Sequence, residues 1–222
     1  MAESSRIRGR WLLWALPVWA LMLLIGTWTH QPDPQTQFAA FADYITTDWF
    51  LASHLINSIL GAAIGSIGFI GLMLYLSGTR AAGRSTAASI AMVAGNTLSS
   101  AVFGAAAFAQ PAIGRVFQSG SGDALALYND VYSAPLFATA ILGLLLLMAG
   151  GVLAGAAISA AGRLPRWLGW LLALSTVVFT LSVFWSPAQT PACVGLLVAT
   201  TGVAWFGSKD NERSAQIEAA PL

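Results

Sequence analysis

Charge is scarce in this 222-residue chain: Asp, Glu, Lys and Arg make up 9% of it, while hydrophobic residues make up 57%. Soluble domains carry roughly 25% charged residues, so this balance excludes a soluble globular domain and points to a membrane. The single cysteine, Cys193, excludes an intrachain disulfide and any multi-cysteine metal or iron–sulfur centre, and reads as a small residue packed in a helix. The only lysine, Lys209, lies near the C-terminus, which excludes a retinal Schiff base within a span. Of the two histidines, His54 falls in an apolar run and His30 in a loop, so a bis-histidine haem or histidine-rich metal site is not expected. No cofactor or metal is expected. The net charge is +1 and the basic residues are scattered, so nucleic acid is not an expected partner. There is no DDxxD-type aspartate pair, HExxH, GxSxG or P-loop.

What the chain does contain is long apolar runs. They lie at about 11–29, 50–77, 86–109, 133–160, 167–185 and 191–207, each near the ~20 residues that cross a bilayer. The expectation is an all-α polytopic bundle of six transmembrane helices, a single domain over 1–207 with a polar, flexible tail at 208–222. The first run follows Arg6, Arg8 and Arg10 as a signal peptide would. It is too long for a signal h-region, however, and Trp28-Thr29-His30 is no cleavage site, so it reads as a retained span.

Six crossings put both termini on one side, and the basic residues indicate which side. Arg6, Arg8, Arg10, Arg80, Arg84, Arg163, Arg166, Lys209 and Arg213 share the side of the termini, and only Arg115 lies opposite. Because basic residues are retained in the cytoplasm, the prediction is N-in and C-in, in the bacterial plasma membrane. Trp11, Trp14, Trp167, Trp170 and Trp205 then mark the inner interface, and Trp28, Trp49 and Trp185 the outer one, leaving Trp19 near mid-span. The two inner loops, Ser77–Arg84 and Ser159–Arg166, are alike, which suggests that spans 2–3 and 4–5 are related hairpins.

The second run carries His54, Asn57, Ser58, Gly61, Gly65 and Gly68 at helical spacing. The glycines suit close helix packing, whereas an ionisable side chain within the hydrocarbon is costly to bury and marks a site hypothesis. The third run offers a matching stripe of Asn96, Ser99, Ser100, Phe103, Ala107 and Gln110, with Asn96 near the midplane. A buried amide there needs a partner, so the two runs are expected to pack antiparallel, with His54, Asn57, Asn96 and Ser100 in one polar seam. Pro111 is expected to end the third span.

Two outer connections, about 30–49 and 110–132, are long enough to be functional. The first ends in an apolar, aromatic stretch over 38–49 suited to an interfacial helix. It pairs Asp43 with Tyr44 and Trp49; the second pairs Asp130 with Tyr128 and Tyr132. Arg115, the sole outer cation, suits an anionic ligand or lipid headgroup, or one of the nearby aspartates. The stretches Phe108–Arg115, Leu127–Tyr132 and Leu164–Trp167 resemble a group of small, mainly actinobacterial multi-pass proteins. The resemblance covers spans 2 to 5 and implies a shared six-helix fold and no particular activity.

Three functions compete. An intramembrane enzyme, such as an acid-initiated isoprenoid cyclase, would use Asp43, Asp130 and His54 as catalytic groups, with aromatic faces steadying cations. Its ligand would meet Asn57, Asn96, Ser100, Tyr44, Trp49, Tyr128, Tyr132 and Arg115. In size and topology the chain is similar to bacterial membrane-bound terpene cyclases. A small-solute transporter, or the substrate-binding subunit of an uptake system, would use the same outward-facing pocket, although no span holds an acid for a coupling ion. A non-catalytic subunit would need only its glycine faces and a protein partner. Membrane lipids and a hydrophobic or amphipathic small molecule are the expected partners.

Overall fold

The computed structural model describes residues 9–28, 30–120 and 122–218, with side chains as far as Lys209. Arg6, Arg8, Thr29, Ser121, the Arg213 side chain and residues 219–222 lie outside the described residues. The described residues are helical with no strand. Eight helices follow in chain order: α1 (Gly9–Gly26), α2 (Phe38–Ile45), α3 (Asp48–Leu76), α4 (Ala82–Gln118), α5 (Ala124–Val131), α6 (Ala134–Ala161), α7 (Arg166–Leu181) and α8 (Gln189–Glu218). Six of them, α1, α3, α4, α6, α7 and α8, are long and apolar enough to cross a membrane, as a multi-pass membrane protein requires.

The six spans pack in chain order and the ring closes from α8 back onto α1. Small residues set these contacts, because in lipid helices associate by close packing and not by a hydrophobic drive. On α3, Gly65 faces the Trp19 indole, Gly68 faces Leu16 and Gly71 faces Leu12, all on α1. Gly95 of α4 meets the Leu147 backbone of α6, and Gly155 of α6 meets Gly169 of α7. Trp19, the mid-span tryptophan, is thus buried between α1 and α3, edge-on to Phe69 at 5.5 Å.

Both described ends lie on one face: Gly207 of α8 lies against Leu13, and Gly9 against Tyr75. We call this the terminal side and the opposite one the loop side. The terminal half is a packed core that includes Leu13, Leu16, Phe69, Leu72, Tyr75 and Leu168. Here the two similar hairpins interlock. Arg80, after α3, donates from Nε to the Ala160 carbonyl near the end of α6 at 2.7 Å, and Arg163, after α6, donates from Nη1 to the Tyr75 carbonyl near the end of α3 at 3.1 Å. Each cation therefore satisfies carbonyls that a helix C-terminus leaves unpaired and faces the negative end of its dipole.

The third span does not end at Pro111: α4 continues to Gln118. The proline removes one amide donor and crowds the carbonyl of Ala107, a break that neighbouring elements can offset. Here α2 supplies that support. A Cβ on Gly114 would meet Thr46 at 2.7 Å and the Ala42 carbonyl at 3.0 Å, so α2 lies directly on the extension. The predicted interfacial helix over 38–49 is α2 and the start of α3; Phe41, Ile45, Phe50 and Ala106 form a small second core. The last helix also runs past Ser208 to Glu218.

A further departure from regular helix lies in α3, where Ser53–Leu60 is π-helical. His54 Nδ1 lies 2.9 Å from the Phe50 carbonyl oxygen. In an α-helix that carbonyl would accept from the amide of residue 54, so the imidazole occupies the acceptor its own backbone would use. A side chain inserted in the ladder is a recognised cause of such distortion, and π segments concentrate at functional sites.

Candidate functional site

Two adjoining cavities occupy the loop-side half of the ring. The upper one, about 200 Å³, is lined by Gln31, Tyr44, His54, Asn57 and Gln189, with Gly26 and Thr27 of α1 at its wall. The lower one, about 340 Å³, is lined chiefly by Trp19, Leu144, Leu147 and Val183, with Asn96 and Ser99 as polar points. Leu23, Ser58, Phe103, Phe179 and Gln189 line both and stand where the two adjoin. Thr190 donates to Thr27 at 3.0 Å, fastening α8 to α1 beside the upper chamber.

The π segment presents Ser53, His54, Asn57 and Ser58 to the upper chamber. His54 is held by its bond to Phe50, by the Phe50 ring at 4.1 Å and by Phe103 at 6.1 Å. A carbonyl only accepts, so Nδ1 carries a proton and Nε2 is the nitrogen that gains or loses one. Neutral His54 thus offers an acceptor, and protonated His54 a donor, from a ring fixed in orientation. Among the described residues, neither Asp, Glu, Lys nor Arg lines either chamber. The polar groups there are amides, hydroxyls and one imidazole, a set that recognises an uncharged polar group through hydrogen bonds.

The candidate residues separate into several places. His54, Asn57 and Tyr44 share the upper chamber, while Asn96 belongs to the lower one. Asn96 donates to Ser66 Oγ at 3.1 Å, and Ser89 donates to the Phe69 carbonyl at 2.6 Å, so α3 and α4 do pack antiparallel. The polar seam is therefore split: Asn96 is bonded deeper on α3, below the level of His54. Ser99 lines the lower chamber and Ser100 does not.

Asp43 is exposed on α2 and accepts from Gln118 Nε2 at 3.2 Å; Asp130 is exposed on α5. Neither lines a chamber, and neither do Trp49 or Arg115. Tyr128 and Tyr132 stack at 4.5 Å and line a separate surface groove with Gln35, Asn129 and Phe137. Tyr132 accepts from Gln110 Nε2, behind which Gln110 Oε1 is buried without a partner. Burial holds the Tyr132 phenol above its ordinary pKa, as it does Tyr128, where the Asp33 carboxylate adds to the effect.

Sequence reasoning missed Gln31, Thr27, Gln189 and Phe179. Each is an isolated residue near a span end, without periodicity to mark it; only their common depth at the loop-side ends of spans 1, 5 and 6 was a signal. No family model matches this chain, and neither does any curated protein or solved structure.

Proposed function

We propose that this protein binds an amphipathic small molecule, its uncharged polar group held by His54, Asn57 and Gln189 and its apolar part in the lower chamber. The observation that carries this reading is that a polar cavity adjoins an apolar one, the two sharing lining residues, while the other half of the bundle is closed by packed side chains. Together the chambers fall in the range of roughly 300–1,000 Å³ typical of ligand sites. The closed terminal half favours a pocket over a through-path. With basic loops on the terminal side, the pocket faces outward in the bacterial plasma membrane.

An enzymatic reading built on Asp43 and Asp130 loses support, because both carboxylates stand on the surface away from the chambers. If the site is catalytic, the proton carrier is His54, whose titrating Nε2 belongs to the chamber wall. Native mass spectrometry of the protein in lipid nanodiscs tests the binding reading. Wild type is expected to retain an amphipathic molecule, Ala62→Trp to lose it by filling the lower chamber, and His54→Ala to weaken it about tenfold, as for one lost hydrogen bond. An unliganded wild type, or full retention by a folded Ala62→Trp variant, contradicts it.

A further inference from the structure

The lower chamber has a wall unlike the others. It is formed by Leu144 of α6 and by Ser182, Val183 and Ser186, where α7 gives way to two short 3₁₀ turns, Ser182–Phe184 and Ser186–Ala188. The tight contacts between α6 and α7, Gly151 on Thr176 and Gly155 on Gly169, all lie toward the terminal side. Toward the loop side, Gly143 of α6 meets Leu98 and Ser99 of α4 instead of α7. Val183, which lines the chamber, is 62% exposed, and the adjoining Phe184 and Trp185 are 78% and 66% exposed. Leu142 and Leu145, on the facing stretch of α6, are also exposed. An opening rimmed by leucine, valine and aromatic side chains faces hydrocarbon and headgroup, not water. The upper chamber's mouth differs, with Gln31 and Tyr44 beside it.

We infer that the lower chamber opens sideways into the bilayer between α6 and the α7–α8 turn, and that its ligand is a single-chain lipid with an uncharged, hydroxyl-bearing head, drawn from the membrane. The inference rests on the binding reading above and adds the ligand's class and route. The chain enters past Val183 and lies against Trp19 and Leu147. The hydroxyl is taken up where the two chambers adjoin, at Ser58 and Gln189, on the His54 side. Among the described residues no Asp, Glu, Lys or Arg lines this path, so a permanently charged head finds no fixed counter-ion there. One apolar chamber of about 340 Å³ suits one chain, not two.

The test places Leu144→Cys and Val183→Cys in a Cys193→Ala background, reconstituted in phosphatidylcholine vesicles, with the two thiols bridged by a cleavable bismaleimide. The probe is a long-chain alcohol carrying a photoreactive diazirine near its chain end, and the readout is labelling of peptides holding Trp19 or Leu147. The unbridged protein is expected to label there. Bridging should lower labelling about tenfold or more, and cleaving the bridge should restore it. Equal labelling with the bridge in place, or thiols too far apart to bridge, overturns the lateral opening. Absence of chamber labelling in the unbridged protein overturns the binding reading itself, and this inference with it.

Discussion

Arg163 reaches from the loop after α6 to the Tyr75 carbonyl near the end of α3, with its guanidinium carbon 6.0 Å from the Tyr75 ring centroid. Arg80 makes the mirror-image contact from the α3 loop to Ala160 of α6. Two hairpins that look alike in sequence therefore brace each other, and the closed end of the pocket is fixed by this exchange.

Removing one brace should be felt by both helices. Arg163→Ala is expected to cost about 1 kcal/mol, the size of a charge-assisted bond at a helix C-terminus, and Arg163→Lys to recover only part of it. Thermal unfolding in detergent, with Arg80→Ala and the double variant, gives the coupling. Strict additivity of the two losses would show that the hairpins do not support each other.

The space for Trp19 exists only because residue 65 is glycine. A Cβ there would lie 2.7 Å from the indole Cδ1, so Gly65→Val should destabilise by about 1–3 kcal/mol through overpacking. Gly83→Ala, where a Cβ meets nothing within 4 Å, is the neutral control. Equal unfolding midpoints for the two variants would refute the packing.

Tyr132 links a buried amide to alkaline stability. Its phenol is held above its ordinary value of 10.0, so above that pH the unfolded chain releases a proton that the folded chain keeps. Stability therefore falls as pH rises past about 10. Tyr132→Phe should flatten that fall, while costing about 1–3 kcal/mol at neutral pH by leaving Gln110 without its partner. Denaturant unfolding at pH 8 and above pH 10 measures both, and an unchanged slope in the variant would remove Tyr132 from the account.

The orientation rests on loop charge and is checked with single thiols. Cys193 is buried, so wild type should give little background. Ser119→Cys, exposed after α4, should react with a membrane-impermeant maleimide on intact cells, and Gly83→Cys only after permeabilisation. The opposite pattern would invert the protein.

The spans were legible because each is a local property: a run of apolar residues long enough to cross announces itself by composition. Their ends were less so: α4 runs on beyond Pro111, where α2 packs on it, and α8 runs past Ser208 to Glu218. The glycine stripe of α3 was legible as a packing face, but not that α1 would be its partner. The His54 stripe was legible as polar groups in hydrocarbon. Its pairing with Asn96 was not, because helical spacing gives the face of a residue and says nothing of how far one helix slides along another.

By itself, then, the sequence determined six apolar helices, a shared side for the termini and the cluster of polar groups near the loop-side end of span 2, since length, charge and periodicity act within a segment. The tertiary structure alone decided that Asn96 bonds Ser66, that Asp43 and Asp130 stay on the surface, and that His54 sits in a π-helical segment above an apolar chamber. Those outcomes depend on the register and spacing of helices distant in sequence, which close packing sets and no single segment encodes.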